Sequence, residues 1–153
     1  MASVLLVCLA SYLLGSIPNG LGFGKLLWHV DLREYGSHNI GATNAWRTLG
    51  KGPGFLIFLL DFLKGALSVG LAEVFTASPL IMVIAGILAI VGHSCSLFLH
   101  FKGGKGVATG LGVIAMLMPV PSLIVFLIWL VIVMITKYVS LGSCIAAALV
   151  PGL

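Results

Sequence analysis

The sequence predicts an all-α integral membrane protein, a polytopic helical bundle of about six spans, some of them broken or half-spans. Three observations carry that expectation. The 153-residue chain is 60% hydrophobic and only 8% charged, whereas a soluble domain carries about a quarter charged residues. Its mean hydropathy is +1.22. Several apolar runs approach the roughly 20 residues that carry a helix across a bilayer. A single domain over residues 1–153 is expected, without a soluble module, linker, low-complexity tract or internal repeat.

The first span runs from about Val4 to Leu27, but Gly15, Pro18, Gly20, Gly22 and Gly24 weaken its second half. Ser16 and Asn19 lie among them, so a broken or kinked helix is expected there, and the same glycines suit close helix packing. The start MASVLLVCLASYLL has no basic n-region and runs on as a long apolar stretch, so it reads as a retained span rather than a cleavable signal. Trp28 to Gly54 is the longest polar stretch, with Arg33, Arg47 and Lys51 against Asp31 and Glu34.

A second span covers about Phe55 to Phe75. Asp61 and Lys64 on it stand three residues apart, where they would neutralise each other inside the bundle, and they read as structural. Glu73 falls at the outer interface. A third span covers about Leu80 to Leu99. From Gly106 to Met118 the apolar run is 13 residues, about 20 Å of helix, against a hydrocarbon core of about 30 Å. It is a half-span unless the preceding glycine loop or Pro119 extends it. A fifth span runs from about Ser122 to Thr136, and a sixth begins near Val139.

Arg33, Arg47, Lys51, Lys102, Lys105 and Lys137 fall in alternate connections, while Thr76 to Pro79 and Pro119 to Pro121 contain no basic residue. By the positive-inside rule the basic connections face the cytoplasm and the N-terminus faces out. The eight Lys and Arg against four Asp and Glu are explained by this topology, so nucleic acid is not an expected partner. Cys8, Cys95 and Cys144 are widely spaced without metal-ligand spacing and read as packing residues. Asp31, Glu34, Asp61 and Glu73 form no cluster that would hold Mg²⁺ for a phosphotransferase, and no histidine is followed five positions later by Asp, as in soluble-type acyltransferases.

The chemistry concentrates in two basic connections. "HFKGGKGVATG", His100 to Gly110, offers backbone N–H groups unobstructed by side chains, a helix start, and the ammonium groups of Lys102 and Lys105. Such a combination suits phosphate. "SHNIGATNAWR", Ser37 to Arg47, interleaves short polar side chains with Gly41 and closes on an arginine, as a second anion cradle; an ordinary turn with Thr43 or Asn44 capping a short helix is the plainer alternative. "VGHSCS" places His93 near the end of an otherwise apolar span, just before the lysine loop, where a polar group needs a reason.

Together "SYLLGSIP", "GSHNIGATNAWRTLGK", "LLDFLKG" and "GHSCSLFLHFKGGKGVATGLG", in this order, resemble the bacterial membrane-integral acyl-phosphate:glycerol-3-phosphate acyltransferases, the PlsY family. The resemblance implies transfer of a fatty acyl group from acyl phosphate to glycerol 3-phosphate, giving lysophosphatidate and phosphate without coenzyme A, cofactor or metal. It further implies a multi-pass enzyme of the bacterial cytoplasmic membrane, in contact with lipid. Carried over by motif, Ser37 and Arg47 are essential polar residues, with Asn39, Gly41, Thr43 and Asn44 shaping a phosphate pocket. Gly103, Gly104, Lys105 and Gly106, with Lys102, correspond to the glycerol 3-phosphate site. His93 is the nearby side chain suited to general-base work, although the substrate phosphate could take the proton instead.

His38 stands where the family usually has glycine, Ser94 to Ser96 lacks a common central aromatic, and His100 replaces a small residue. The family's third motif, HxxNIxRLxxGxE, is not found up to Leu153, so the family bundle is expected to be incomplete at the C-terminus. Rival readings are a transporter for a phosphorylated solute, which needs a polar path through the outer half, and a catalytically silent truncated homologue.

Overall fold

The computed structural model describes residues 1–150. Helices α1 (Ala2–Ser16), α2 (Asn19–Trp28), α3 (Ala42–Leu49), α4 (Lys51–Thr76), α5 (Pro79–Ser94), α6 (Val107–Leu117), α7 (Pro119–Thr136) and α8 (Val139–Leu149) follow one another, with a 3-10 turn at Leu97–Leu99 after α5. The expected all-α bundle is present, with its irregularities where the sequence placed them.

α1 and α2 are together long and apolar enough for one span and meet at a bend of 45°. Pro18 supplies no N–H and pushes Ile17 out of helical geometry, to φ −59° and ψ 117°. The freed Ile17 carbonyl then accepts a hydrogen bond from Lys64 Nζ at 2.8 Å. α6 has 11 residues, about 16 Å of helix, and α7 begins after only Met118. The fourth segment is therefore a half-span. α4, the Pro79–Leu99 segment and α7 are each long and apolar enough to cross a membrane.

α4 is the hub, packed against α1, α3, α5 and α6. Its contacts run through small residues, as expected where lipid removes the hydrophobic drive for association and backbones must come close. A methyl group on Gly65 would run into the Thr109 carbonyl, and one on Gly112 into the Phe62 carbonyl. Gly15 and Gly92 make the equivalent close approach between α1 and α5. Val69, Ala72, Ala85 and Ala89 are fully buried, while Leu5, Leu67, Val120 and Ile135 are exposed on the outside. α7 and α8 pair with each other at the periphery, with α7 touching α6. Of the cysteines, Cys8 is half-buried, whereas Cys95 and Cys144 are exposed rather than packed.

α3 is amphipathic, and Ala45 joins Leu32 and Ile57 in a small core against α4. Because α4 and α5 are joined by the short connection after Thr76, the loop before α4 and the loop after α5 lie at the same end of the bundle. Tyr12 Oη donates to the Cys95 carbonyl at 2.9 Å, and Ser96 Oγ donates to that of Ser16. The end of α1 thus carries the start of the second loop.

Candidate active site

In the first loop Asn44 is the organising residue. Buried within α3, it shares the two Nδ2 hydrogens among the carbonyls of Leu32 at 2.9 Å, Tyr35 at 3.0 Å and Asn39 at 2.8 Å, and accepts the Ser37 N–H on Oδ1 at 2.9 Å. Its hydrogen-bonding capacity is used by the loop itself. Neither Thr43 nor Asn44 caps α3; Gly41 is its N-cap, and Asn39 Oδ1 accepts the Gly41 N–H at 2.8 Å in an Asx turn. Thr43 and Arg47, one turn apart on α3, are exposed and make no side-chain hydrogen bond or ion pair among the described residues, and the Ser37 hydroxyl is likewise exposed. His38 adopts φ 55°, the left-handed region in which glycine is at ease, and its Nδ1 sits 2.8 Å from the Arg33 carbonyl.

Charge in this loop is divided between spent and available cations. Arg33 binds Asp31 through Nε at 3.0 Å and Nη2 at 2.7 Å, and Lys25 joins at 2.9 Å. The Arg33 guanidinium, helped by Lys25, holds the Asp31 carboxyl well below the usual carboxylate range. Arg47, Lys51, Lys102 and Lys105 have no carboxylate within ion-pair distance among the described residues.

The glycine loop folds back on the end of α5. Gly103 N–H donates to the Ser94 carbonyl at 2.9 Å and Gly104 N–H to that of His93 at 3.0 Å, satisfying carbonyls that the end of α5 would leave open. Phe101 and Lys102 donate to Ser96 and Leu99, with His100 and Phe101 both at positive φ, 51° and 64°. The amides left for a ligand are therefore those of Lys105, Gly106 and the first turn of α6. Glycine is required at 104 by proximity, since a methyl there would strike His93 Nε2. Lys102 and Lys105 are exposed.

His93 itself is buried, 5% exposed. Its Nδ1 is 3.8 Å from Asp61 Oδ1, which also accepts from Asn19 Nδ2 at 3.0 Å and pairs with Lys64 Nζ at 3.1 Å. The expected Asp61–Lys64 pair is present, and the histidine lies beside its carboxylate. No hydrogen bond or ion pair among the described residues joins the Ser37–Arg47 loop to the glycine loop. Reasoning from sequence missed Asp61 as a neighbour of His93 and Asn19 as a donor to that carboxylate; the polar Asn19 beside Pro18 was the available signal.

Beside the glycine loop lies an apolar cavity of about 220 Å³ whose lining includes Lys105 and Gly106 together with Phe58, Leu111, Phe126 and Trp129. A second apolar cavity, about 480 Å³, shares Phe58, Leu111 and Phe126 and extends to Pro119 and Ser122. The first lies among α4, α6, α7 and α8, and the second among α4, α6 and α7. No group of three or more His, Cys, Asp or Glu side chains that could hold a metal ion is gathered among the described residues.

Comparison with known proteins decides the family, because the profile described as glycerol-3-phosphate acyltransferase matches residues 5–153. The chain belongs to the glycerol-3-phosphate acyltransferase family. It is 49% identical over 150 residues to the glycerol-3-phosphate acyltransferase of Syntrophomonas wolfei, covering 98% of this chain and 75% of the relative. It is 44% identical over 147 residues to glycerol-3-phosphate acyltransferase 2 of Moorella thermoacetica, covering 96% and 75%. The fold is similar to crystal structures of PlsY (YgiH), an integral membrane glycerol 3-phosphate acyltransferase. Its glycerol 3-phosphate form superposes with a TM-score of 0.91 at 44% identity, covering 97% of this chain and 74% of that one. The lysophosphatidic acid form gives 0.88 at 41% identity, with the same coverage. This member of the glycerol-3-phosphate acyltransferase family is thus an integral membrane acyltransferase.

Proposed function

We propose that this acyltransferase takes its acyl group from acyl phosphate and delivers it to a hydroxyl of glycerol 3-phosphate, forming lysophosphatidate and releasing phosphate. The observation that carries the reading is the set of cations, Arg47, Lys102 and Lys105, without a carboxylate partner among the described residues, at the end of the bundle where Lys105 and Gly106 also line an apolar cavity. Two anionic headgroups need cations that no carboxylate has claimed, and one substrate needs an apolar channel beside them.

Glycerol 3-phosphate occupies the glycine loop, with its phosphate on Lys102, Lys105 and the free amides at the start of α6. The acyl phosphate headgroup meets Ser37, Thr43, Arg47 and the side-chain amide of Asn39, on a backbone that Gly41 and Asn44 hold in shape. Its chain runs between α4, α6 and α7. The glycerol oxygen bonds to the acyl carbon, the bond from that carbon to the phosphate oxygen breaks, and phosphate leaves with the electron pair. Phosphate is already a competent leaving group, so catalysis rests on positioning and on stabilising charge. The burial of His93 beneath Gly104 favours a substrate phosphate oxygen as acceptor of the hydroxyl proton. The two loops face the cytoplasm of a bacterial cell, across its inner membrane.

The test offers purified protein in detergent palmitoyl phosphate or palmitoyl-CoA with labelled glycerol 3-phosphate. Label entering lysophosphatidate from palmitoyl phosphate is the expected result. Transfer from palmitoyl-CoA alone overturns the donor assignment.

A further inference from the structure

The polar group around His93 is larger than charge neutralisation requires. Asp61 is buried on α4, and one of its oxygens, Oδ1, is the meeting point of three other elements of the cluster. Asn19 reaches it from just beyond the break in the first span at 3.0 Å, Lys64 from α4 itself at 3.1 Å, and His93 from the end of α5 at 3.8 Å. A buried ion pair seldom stabilises a fold more than apolar residues of the same volume would. A role beyond stability lies in what else the carboxylate touches.

What it touches is the support of the glycine loop. The 3.8 Å contact is too long for a hydrogen bond, so the carboxylate bears on the imidazole as a packed neighbour rather than as a bonded partner. The other ring nitrogen faces Gly104, where no Cβ would fit, and the His93 carbonyl accepts the Gly104 N–H. Lys64 adds a bond to the Ile17 carbonyl, which fixes the same carboxylate to the broken span. A line of contacts leads from the break at Ile17, through Asp61, to His93 and the two glycines.

We propose that Asp61 is a positioning residue for the glycine loop: its carboxylate fixes the His93 imidazole, against which Gly104 is laid, and so sets where Lys105 and the start of α6 meet the phosphate of glycerol 3-phosphate. This rests on the reading of that loop as the glycerol 3-phosphate site. Asp61 touches no substrate, and its effect appears as affinity for glycerol 3-phosphate.

The experiment titrates glycerol 3-phosphate calorimetrically into detergent-purified protein, so that no acyl donor enters the readout. Loss of folded protein lowers the stoichiometry and leaves Kd alone, whereas a displaced loop raises Kd. Asp61→Asn is expected to raise Kd about tenfold at normal stoichiometry, the scale of a modest misplacement of binding groups. His93→Gln should do the same, and the double variant should bind no more weakly than the weaker single, because the two act through one contact. If Asp61→Asn does not accumulate, Asn19→Ala replaces it, removing one donor from Asp61 while leaving the Lys64 pair. Lys105→Ala separates the two ideas. If it leaves Kd unchanged, the loop does not bind glycerol 3-phosphate and the inference falls with that reading. If it raises Kd while the Asp61 variant does not, or if the Asp61 and His93 losses multiply, the inference alone is overturned.

Discussion

Lys64 Nζ lies 3.1 Å from a carboxylate oxygen of Asp61, one helical turn earlier on α4, with both side chains buried. Lys64→Met would leave that carboxylate with Asn19 as its remaining close donor. Breaking one side of a buried pair costs about 3–5 kcal/mol. Thermal unfolding in detergent should show a large fall for Lys64→Met and substantial recovery in Lys64→Met with Asp61→Leu. A single variant as stable as the parent would show that the pair is not what holds α4 in place.

The close approach of α4 and α6 makes a second, sharper contrast. At Gly112 an added methyl group meets the Phe62 carbonyl, which cannot move without the helix, whereas at Gly70 its nearest neighbour is the flexible Met116 terminus at 3.7 Å. Gly112→Ala should destabilise by about 1–3 kcal/mol through overpacking. Gly70→Ala should be neutral or stabilising by up to about 1 kcal/mol, as it restricts the unfolded chain. Equal thermal midpoints for the two variants would contradict the packing described here.

These pairs mark how far the sequence could be read. The break at Pro18, the half-span after Gly106 and the Asp61–Lys64 pair were legible because each depends on local chemistry: a missing N–H, a run too short for the bilayer, an i,i+3 spacing. The placement of His93 beside Asp61 was not, because it depends on how α4 and α5 pack. Asn44 looked like one member of a polar cradle, and only the folded loop shows that it is buried and fully bonded. Gly103 and Gly104 looked like open amide donors for an anion, but where α5 ends decides that their N–H groups are used on its carbonyls.

Asp31 gives a pH signature outside the spans. Its carboxyl is held below its unfolded value by Arg33 and Lys25, so the stability it contributes is fully present above the unfolded pKa, about 3.9, and is lost as pH falls toward the folded value. The stability difference between the parent and Asp31→Asn should therefore be constant from pH 5 to 8, to the nearest few tenths of a kcal/mol on the order expected for surface pairs, and shrink below about pH 4. It should also shrink in high salt, since Lys25 and Arg33 are half exposed. A difference that grows on acidification would reverse the assignment.

Orientation can be read with a membrane-impermeant thiol reagent on intact cells, in a variant without Cys8, Cys95 and Cys144. Ala77→Cys, exposed between α4 and α5, should react from outside, and Lys51→Cys, exposed at the opposite end of α4, should react only after permeabilisation. The reverse pattern would place Arg47, Lys102 and Lys105 away from the cytoplasm.

Arg47 and Asn44 stand three residues apart on α3, yet their removal should have different consequences. Asn44 is buried and bonded to Leu32, Tyr35, Ser37 and Asn39, so Asn44→Ala strands several backbone groups and should cost about 2–3 kcal/mol. That loss should appear first as a lower thermal midpoint and as proteolytic cleavage between residues 32 and 41. Arg47 is exposed and unpaired among the described residues, and replacing such a surface group changes stability by no more than about 0.5 kcal/mol. If it meets a substrate phosphate, however, Arg47→Ala removes a charge-assisted bond of about 1.5–3 kcal/mol, which lowers kcat/KM by roughly 10- to 150-fold. Lys102→Ala should follow Arg47→Ala, with activity reduced and thermal midpoint unchanged. Measuring both quantities on the same preparations separates a group that binds from one that builds. An Arg47→Ala enzyme with parental kcat/KM would remove this loop from the site, and one that unfolds as readily as Asn44→Ala would show that Arg47 belongs to the scaffold.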